Sequence, residues 1–261
     1  MKRVLVCRLV VLLLLSLCGC QKTVGTSLKD LQRAGKLTVA VSPDCSPYIT
    51  LGEDGRYTGI EVDLLSMVCD ELGVLLDIQA VEAHKVLPGV EAGKYDLGAG
   101  TVSDMATTGS VVAYSNAYAK APQRLLIKPG TSIPDVHQLA QKVIAVRHGT
   151  YATSYCISNG IPMATYGTYE EAVEAVLDGT ADGLLVDEYI ARELMKTYTA
   201  ETPTLALAYD PVDTCTYAFA AATGSGELLA RINQIISELL AEGTLHWLYE
   251  QYGLTYTSPL G

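Results

Sequence analysis

Cysteine is the residue type in this chain with the richest chemistry, and its spacing argues against most of it. Of the 7 cysteines, Cys45, Cys69, Cys156 and Cys215 stand far apart, form no C-x-x-C pair and have no histidine at ligand spacing, so a zinc site is not expected. No metal or cofactor is expected at all. A nucleophilic thiolate needs a nearby base or cation, and none of the four has one in its local sequence. Four thiols outside the cell can pair, but the sequence does not say which, and Cys69 and Cys156 sit in apolar helical patterns as small buried hydrophobes do. Cys20 is different. Met1-Lys2-Arg3 precedes an apolar run from Val4 to Leu17 that is too short to span a bilayer comfortably, and Leu17-Cys18-Gly19-Cys20-Gln21 follows. A positive start, an apolar core and small residues before a cysteine make a lipoprotein signal, with Cys20 as the lipidated residue. Everything after Cys20 then works outside the cytoplasmic membrane, tethered to its surface.

Removing residues 1–19 leaves 242 of the 261 residues, and the 49% hydrophobic content suits a packed globule. The excised segment holds Lys2, Arg3 and Arg8 and no acid, so the net charge moves from −11 to −14. Such a surface repels nucleic-acid phosphates, which excludes nucleic acid as a partner. It says nothing about a ligand held in a small cleft, where local charge decides. No second stretch is long and apolar enough to cross a membrane.

The elements that must position any site alternate between strand and helix. Lys36–Val41 is an apolar run ended by Ser42-Pro43-Asp44 and reads as a buried strand. Residues 55–59 are turn-forming; Ile60, Leu64, Met67, Val68 and Leu72 then share one helical face, with Gly73 as C-cap. A strand over 75–81, a short helix over 87–92 and a strand over 95–99 complete a parallel-sheet pattern. The pattern then restarts: a strand over 142–146, a loop Arg147-His148-Gly149-Thr150, a helix over 152–159 and an amphipathic helix over 169–177. Val90-Glu91-Ala92-Gly93-Lys94-Tyr95-Asp96-Leu97 is echoed by Val176-Leu177-Asp178-Gly179-Thr180-Ala181-Asp182-Gly183. Between the units, the stretch near Tyr118–Pro122 reads as a first crossover, leading into a strand over 123–127. Residues 213–220 read as a second, followed by a long helical C-terminus over 226–251. Strand-end loops of two such lobes would face a shared cleft.

Four stretches carry a resemblance: Gly55-Arg56-Tyr57-Thr58-Gly59-Ile60-Glu61-Val62-Asp63-Leu64; Gly93-Lys94-Tyr95-Asp96 through Tyr114-Ser115-Asn116-Ala117-Tyr118; Val146-Arg147-His148-Gly149-Thr150; and Asp182-Gly183-Leu184-Leu185-Val186-Asp187-Glu188. With the ending from Glu242-Gly243-Thr244-Leu245 to Tyr252-Gly253, they make the chain resemble a family 3 extracellular solute-binding protein of amino-acid ABC importers. The resemblance implies an α/β, two-lobed, type II periplasmic-binding-protein fold. Each lobe would be a mostly parallel sheet flanked by helices, joined by a two-strand hinge. The segments would be a signal peptide 1–19, a tether and linker 20–35, a first lobe 36–118, a second lobe with hinge segments 119–220, and a return to the first lobe 221–261. It also implies a monomer on the cell surface or in the periplasm that closes on a small polar ligand, such as an amino acid, and hands it to a membrane permease.

The resemblance implies site residues too. Asp187 falls on the family's aspartate for the ligand ammonium, where a shielded carboxylate holds a cation strongly; the competing reading is that Asp187 caps the next helix. Thr101 and Ser103 stand where hydroxyl and backbone contacts are made. Thr150 and the Tyr151 N–H lie at an expected helix N-terminus able to hold an anion. The family's carboxylate-binding arginine is replaced by Thr108, its first covering aromatic by Cys45 and its second by Ala83, with Tyr48 and Tyr151 as partial substitutes. Arg147 is the candidate replacement charge, for an acidic side chain or for the carboxylate that Thr108 leaves unserved; a solvated rim arginine is the alternative. His148 reads as a loop residue. An enzyme similar to cyclohexadienyl dehydratases would need a general acid, with Glu53, Glu82 and His148 the only groups near the cleft, and a sensory module is a third possibility.

Overall fold

The computed structural model describes residues 24–106, 109–199 and 203–260. Helix α1 (Leu28–Ala34) starts where the Ser27 hydroxyl accepts from the Asp30 N–H and ends at Gly35 in a left-handed turn. Its buried Leu31 packs it onto the first strand, so part of the segment expected as linker belongs to the folded domain. Strand β1 (Lys36–Val41) follows, then a three-stranded antiparallel sheet of β2 (Asp44–Cys45), β3 (Ile49–Leu51) and β4 (Tyr57–Thr58) that the sequence did not suggest. Helix α2 (Ile60–Leu72) buries Ile60, Leu64, Leu65 and Val68 against the core, each contributing ~1.5–3 kcal/mol over exposure. Next come β5 (Leu75–Ala80), α3 (Ala83–Glu91), β6 (Leu97–Gly98) and β7 (Val112–Tyr114).

The chain then crosses on β8 (Ala119–Ile127), one continuous strand where a crossover and a separate strand were expected. The second lobe holds β9 (Ile144–Arg147), α4 (Tyr151–Ser158), β10 (Met163–Tyr166), α5 (Tyr169–Asp178), β11 (Gly183–Asp187), α6 (Glu188–Thr197) and β12 (Ala206–Leu207). A Thr168/Glu171 capping box fixes the start of α5. Strand β13 (Asp213–Tyr217) pairs antiparallel along β8, and β14 (Ala220–Ala222) re-enters the first sheet. Two adjacent strands therefore join the lobes. The C-terminal segment is two helices, α7 (Gly226–Ala241) and α8 (Thr244–Gln251), both against α2 and separated at Gly243, whose φ is +75°.

Both sheets are mixed rather than mostly parallel. The first has order β5-β1-β6-β14-β7 and the second β10-β9-β11-β8-β12. In each, three parallel strands adjoin one antiparallel strand that crosses between the lobes, β14 in the first and β8 in the second, and β7 or β12 pairs antiparallel on its far side, because a strand that arrives from the other lobe enters from the opposite end. A buried apolar set runs from one lobe to the other through Tyr48, Tyr118 and Tyr217, so the core is continuous at the hinge. Smaller sets fill the opposite sheet faces, around Val86 and Val90 under α3 and around Ile144 and Cys156 under α4.

Candidate functional site

Asp187 ends β11 and is 2% exposed. Its Oδ1 accepts from the backbone N–H groups of Tyr189 (2.8 Å) and Ile190 (3.1 Å), capping α6. Its Oδ2 accepts from the hydroxyls of Tyr48 (3.1 Å), in the first lobe, and Tyr217 (3.2 Å), on the hinge. Burial raises the carboxyl pKa to about 6, while these hydrogen bonds hold it down. Asp187 is thus both a helix cap and the meeting point of lobe, lobe and hinge. Tyr48 meets Tyr217 edge-on, with ring centroids 5.4 Å apart.

Arg147 is the last residue of β9 and only 1% exposed, not a solvated rim residue. Its guanidinium lies over the Tyr169 ring, 4.9 Å from the centroid, and Nη2 crosses to the first lobe, donating to Ser42 Oγ and pairing with Asp44. Nη1 is buried with no hydrogen-bond partner among the described residues.

The first lobe presents the loop after β6. Thr101 adopts φ +60°, a left-handed conformation unusual outside glycine. It is held there by Glu61, fully buried in the first turn of α2, whose carboxylate accepts from the N–H groups of Gly100 (2.6 Å) and Thr101 (2.8 Å). Burial raises the Glu61 pKa and those two N–H groups oppose the rise. Ser103, also buried, bridges to Tyr217 and accepts from the Met105 N–H. Glu61 escaped notice as a site residue, although an acid in one apolar stripe with Leu65 and Cys69 is a readable signal.

The lobes touch where Gly149, at φ +85°, backs onto His84; a Cβ there would lie 2.7 Å from the His84 Cα. His84 and His148 stack across this contact at 4.8 Å. Three cavities follow the seam. One of about 160 Å³ lies beside His84, His148 and Thr153. One of about 20 Å³, room for a single water, is lined by Ala83, Thr101, Ser103, Thr150 and Tyr151. One of about 590 Å³ is lined by Ser42, Asp44, Lys85 and Arg147.

The expected residues thus fall into three groups. Thr101, Ser103, Thr150 and Tyr151 share the smallest cavity, Arg147 lines the largest, and Asp187 with Tyr48 forms a buried knot beside the hinge. Thr150 stands at the N-cap of α4 as expected, but its hydroxyl donates to the Arg147 carbonyl (2.8 Å), and the Tyr151 hydroxyl donates to Asp213. Cys45 is wholly buried with its thiol on the Ser42 carbonyl (3.1 Å), and burial pushes its pKa far up. It fills the core rather than covering a cleft. Cys45, Cys69, Cys156 and Cys215 are all free and buried. Thr108 and Cys20 lie outside the described residues. Among the described residues no cluster of metal ligands forms and no helix is long and apolar enough to cross a membrane.

Comparison with known proteins agrees with this architecture. The chain is 24% identical over 229 residues to the L-cystine-binding protein TcyJ of Escherichia coli, covering 86% of this chain and 85% of that protein. It is 23% identical over 259 residues to the ABC transporter glutamine-binding protein GlnH of Bacillus subtilis, covering 92% of each. Among solved structures, a mutant of ArgBP from T. maritima superposes with a TM-score of 0.78 at 24% identity, over 87% of this chain and 98% of that one. The ancestral amino acid-binding protein AncCDT-1, a precursor of cyclohexadienyl dehydratase, superposes with a TM-score of 0.75 at 24% identity, over 86% and 98%. These likenesses establish the two-lobed fold. Residues 37–255 match the model of the bacterial extracellular solute-binding proteins, family 3, and the chain belongs to that family.

Proposed function

We propose that this protein is a lipid-anchored extracytoplasmic receptor that captures an amino acid between its lobes and delivers it to an ABC importer. The observation that carries the reading is Asp187, a buried carboxylate at a strand end where both lobes and the hinge converge. The ligand ammonium would take Oδ2 in place of the two tyrosine hydroxyls, because a charge-assisted bond outweighs two neutral ones. Oδ1 would go on capping α6. Thr101, Ser103, Thr150 and the Tyr151 N–H would meet the carboxylate, and Arg147, on the adjoining cavity, would face the rest of the ligand. Tyr48 would cover the ligand.

Closure would follow from contacts made to both lobes at once, with segments 36–118 and 221–261 moving against 119–220. The names of relatives that bind cystine, glutamine, or lysine, arginine and ornithine support the ligand class. The anchor would be Cys20, holding the receptor beside its permease. A thermal-shift screen of the twenty amino acids, cystine and common organic acids tests the reading. A true ligand at about 100 times its Kd stabilises the protein by roughly 2.7 kcal/mol. A screen in which no amino acid shifts the melting temperature would overturn it.

A further inference from the structure

The largest cavity on the seam, of about 590 Å³, is lined by charges of both signs. Ser42, Asp44, Glu82 and Lys85 come to it from the first lobe, Arg147 and Thr168 from the second. The charges stand in matched pairs, Arg147 on Asp44 and Lys85 on Glu82. One donor is left over: Nη1 of Arg147, buried and without a partner among the described residues. This cavity also adjoins the smaller one, since Gly100 lines the latter and a Cβ on Gly100 would lie 3.2 Å from the Ser42 nitrogen.

We propose that this cavity holds the far end of an extended amino-acid ligand, and that the far end is itself a second ammonium–carboxylate head. The inference rests on the amino-acid reading of Asp187. A lone distal carboxylate would meet Arg147 but lie against Asp44 and Glu82. A lone distal ammonium would meet Asp44 but face Arg147 and Lys85. An apolar tail would leave Nη1 without an acceptor and strip water from the ion pairs. A head of both signs gives Nη1 its acceptor and Asp44 a cation, and leaves the cavity electrically balanced. Arg147 and Asp44 then set specificity, while Asp187 sets the requirement for an α-amino acid.

Calorimetric titration of the whole protein with five probes tests this: L-cystine and meso-diaminopimelate with two heads, L-glutamate with a distal carboxylate, L-lysine with a distal ammonium, and L-norleucine with neither. The two-headed probes are expected to bind at least about tenfold more tightly than the other three, a gap of about 1.4 kcal/mol. Arg147→Gln and Asp44→Asn should each shrink that advantage to within about threefold. Equal affinities, glutamate or lysine binding most tightly, or an advantage that survives both substitutions would each overturn the proposal. Asp187→Asn separates the two levels. If it abolishes norleucine binding while no two-headed advantage exists, only the far-end assignment fails; if none of the five binds, or Asp187→Asn changes nothing, the amino-acid reading fails with it.

Discussion

At the scale of single residues, Asp187 carries the sharpest expectations. Asp187→Asn keeps the helix cap and the side-chain volume but removes the charge, so amino-acid affinity should fall by about 100-fold or more, as breaking a shielded ion pair does. Thr108→Ala should cost far less, and calorimetry on the two variants decides; equal losses would remove Asp187 from its role. The pH dependence has a definite sign. Folding raises the Asp187 pKa from 3.8 to about 6, so the folded protein holds this proton more tightly than the unfolded chain does. Without ligand, this group therefore favours folding most below about pH 4, and the stability it confers declines by ~3 kcal/mol as pH rises to about 6. Urea melts at pH 4 and pH 7 should show that slope, and Asp187→Asn should lack it. Ligand affinity runs the other way, since the ammonium needs the ionised form, and should fall roughly tenfold per pH unit below about 6.

At the scale of elements, two contacts decide whether the strand-end loops are presented correctly. Glu61 ties the first turn of α2 to the Gly100–Thr101 turn. Glu61→Gln replaces one acceptor oxygen with a donor that faces a backbone N–H, so stability should drop by ~1–3 kcal/mol and ligand affinity should fall with it. Thermal melts with and without ligand measure both, and a variant as stable as the parent would refute the tie. Gly149 lets the α4 end of the second lobe approach α3 of the first. Gly149→Ala adds both a left-handed strain of ~1–2 kcal/mol and a Cβ where His84 already lies. Ligand affinity should drop about tenfold or more; unchanged affinity would mean that closure does not use this contact.

At the scale of the whole molecule, the lobes are linked by more than the two strands. The segment after α8 crosses the hinge: the Tyr252 hydroxyl donates to Asp63 (2.7 Å), the Tyr256 hydroxyl to the Tyr118 carbonyl (2.7 Å), and the Tyr189 hydroxyl of α6 to the Thr255 carbonyl. With a core continuous through Tyr48, Tyr118 and Tyr217, motion is expected as one lobe turning about this aromatic axis. The four native thiols in the described residues are buried, so Lys94→Cys and Gln141→Cys can be labelled selectively, one in each lobe. A ligand should narrow and shorten the distance between such labels. A distribution that ligand leaves untouched would exclude closure as the mode of capture.

Much of this molecule was legible in the order of its residues. The spacing of Ile60, Leu64 and Val68 with Gly73 after them determines α2. The apolar runs determine β1 and β9, and the two renewed strand–helix series determine two lobes, because hydrophobic period and capping are local properties. Local signals also placed Thr150 at a helix start and Asp187 at a strand end. What the chain order could not show is what meets what across the seam. That Arg147 is buried on Tyr169 and reaches Asp44, that Tyr48 and Tyr217 share one oxygen of Asp187, and that Cys45 turns into the core depend on residues far apart in sequence. The two sheets are mixed for the same reason: a strand's direction is set by where its chain returns from, and the path back from the other lobe exists only once both lobes have folded.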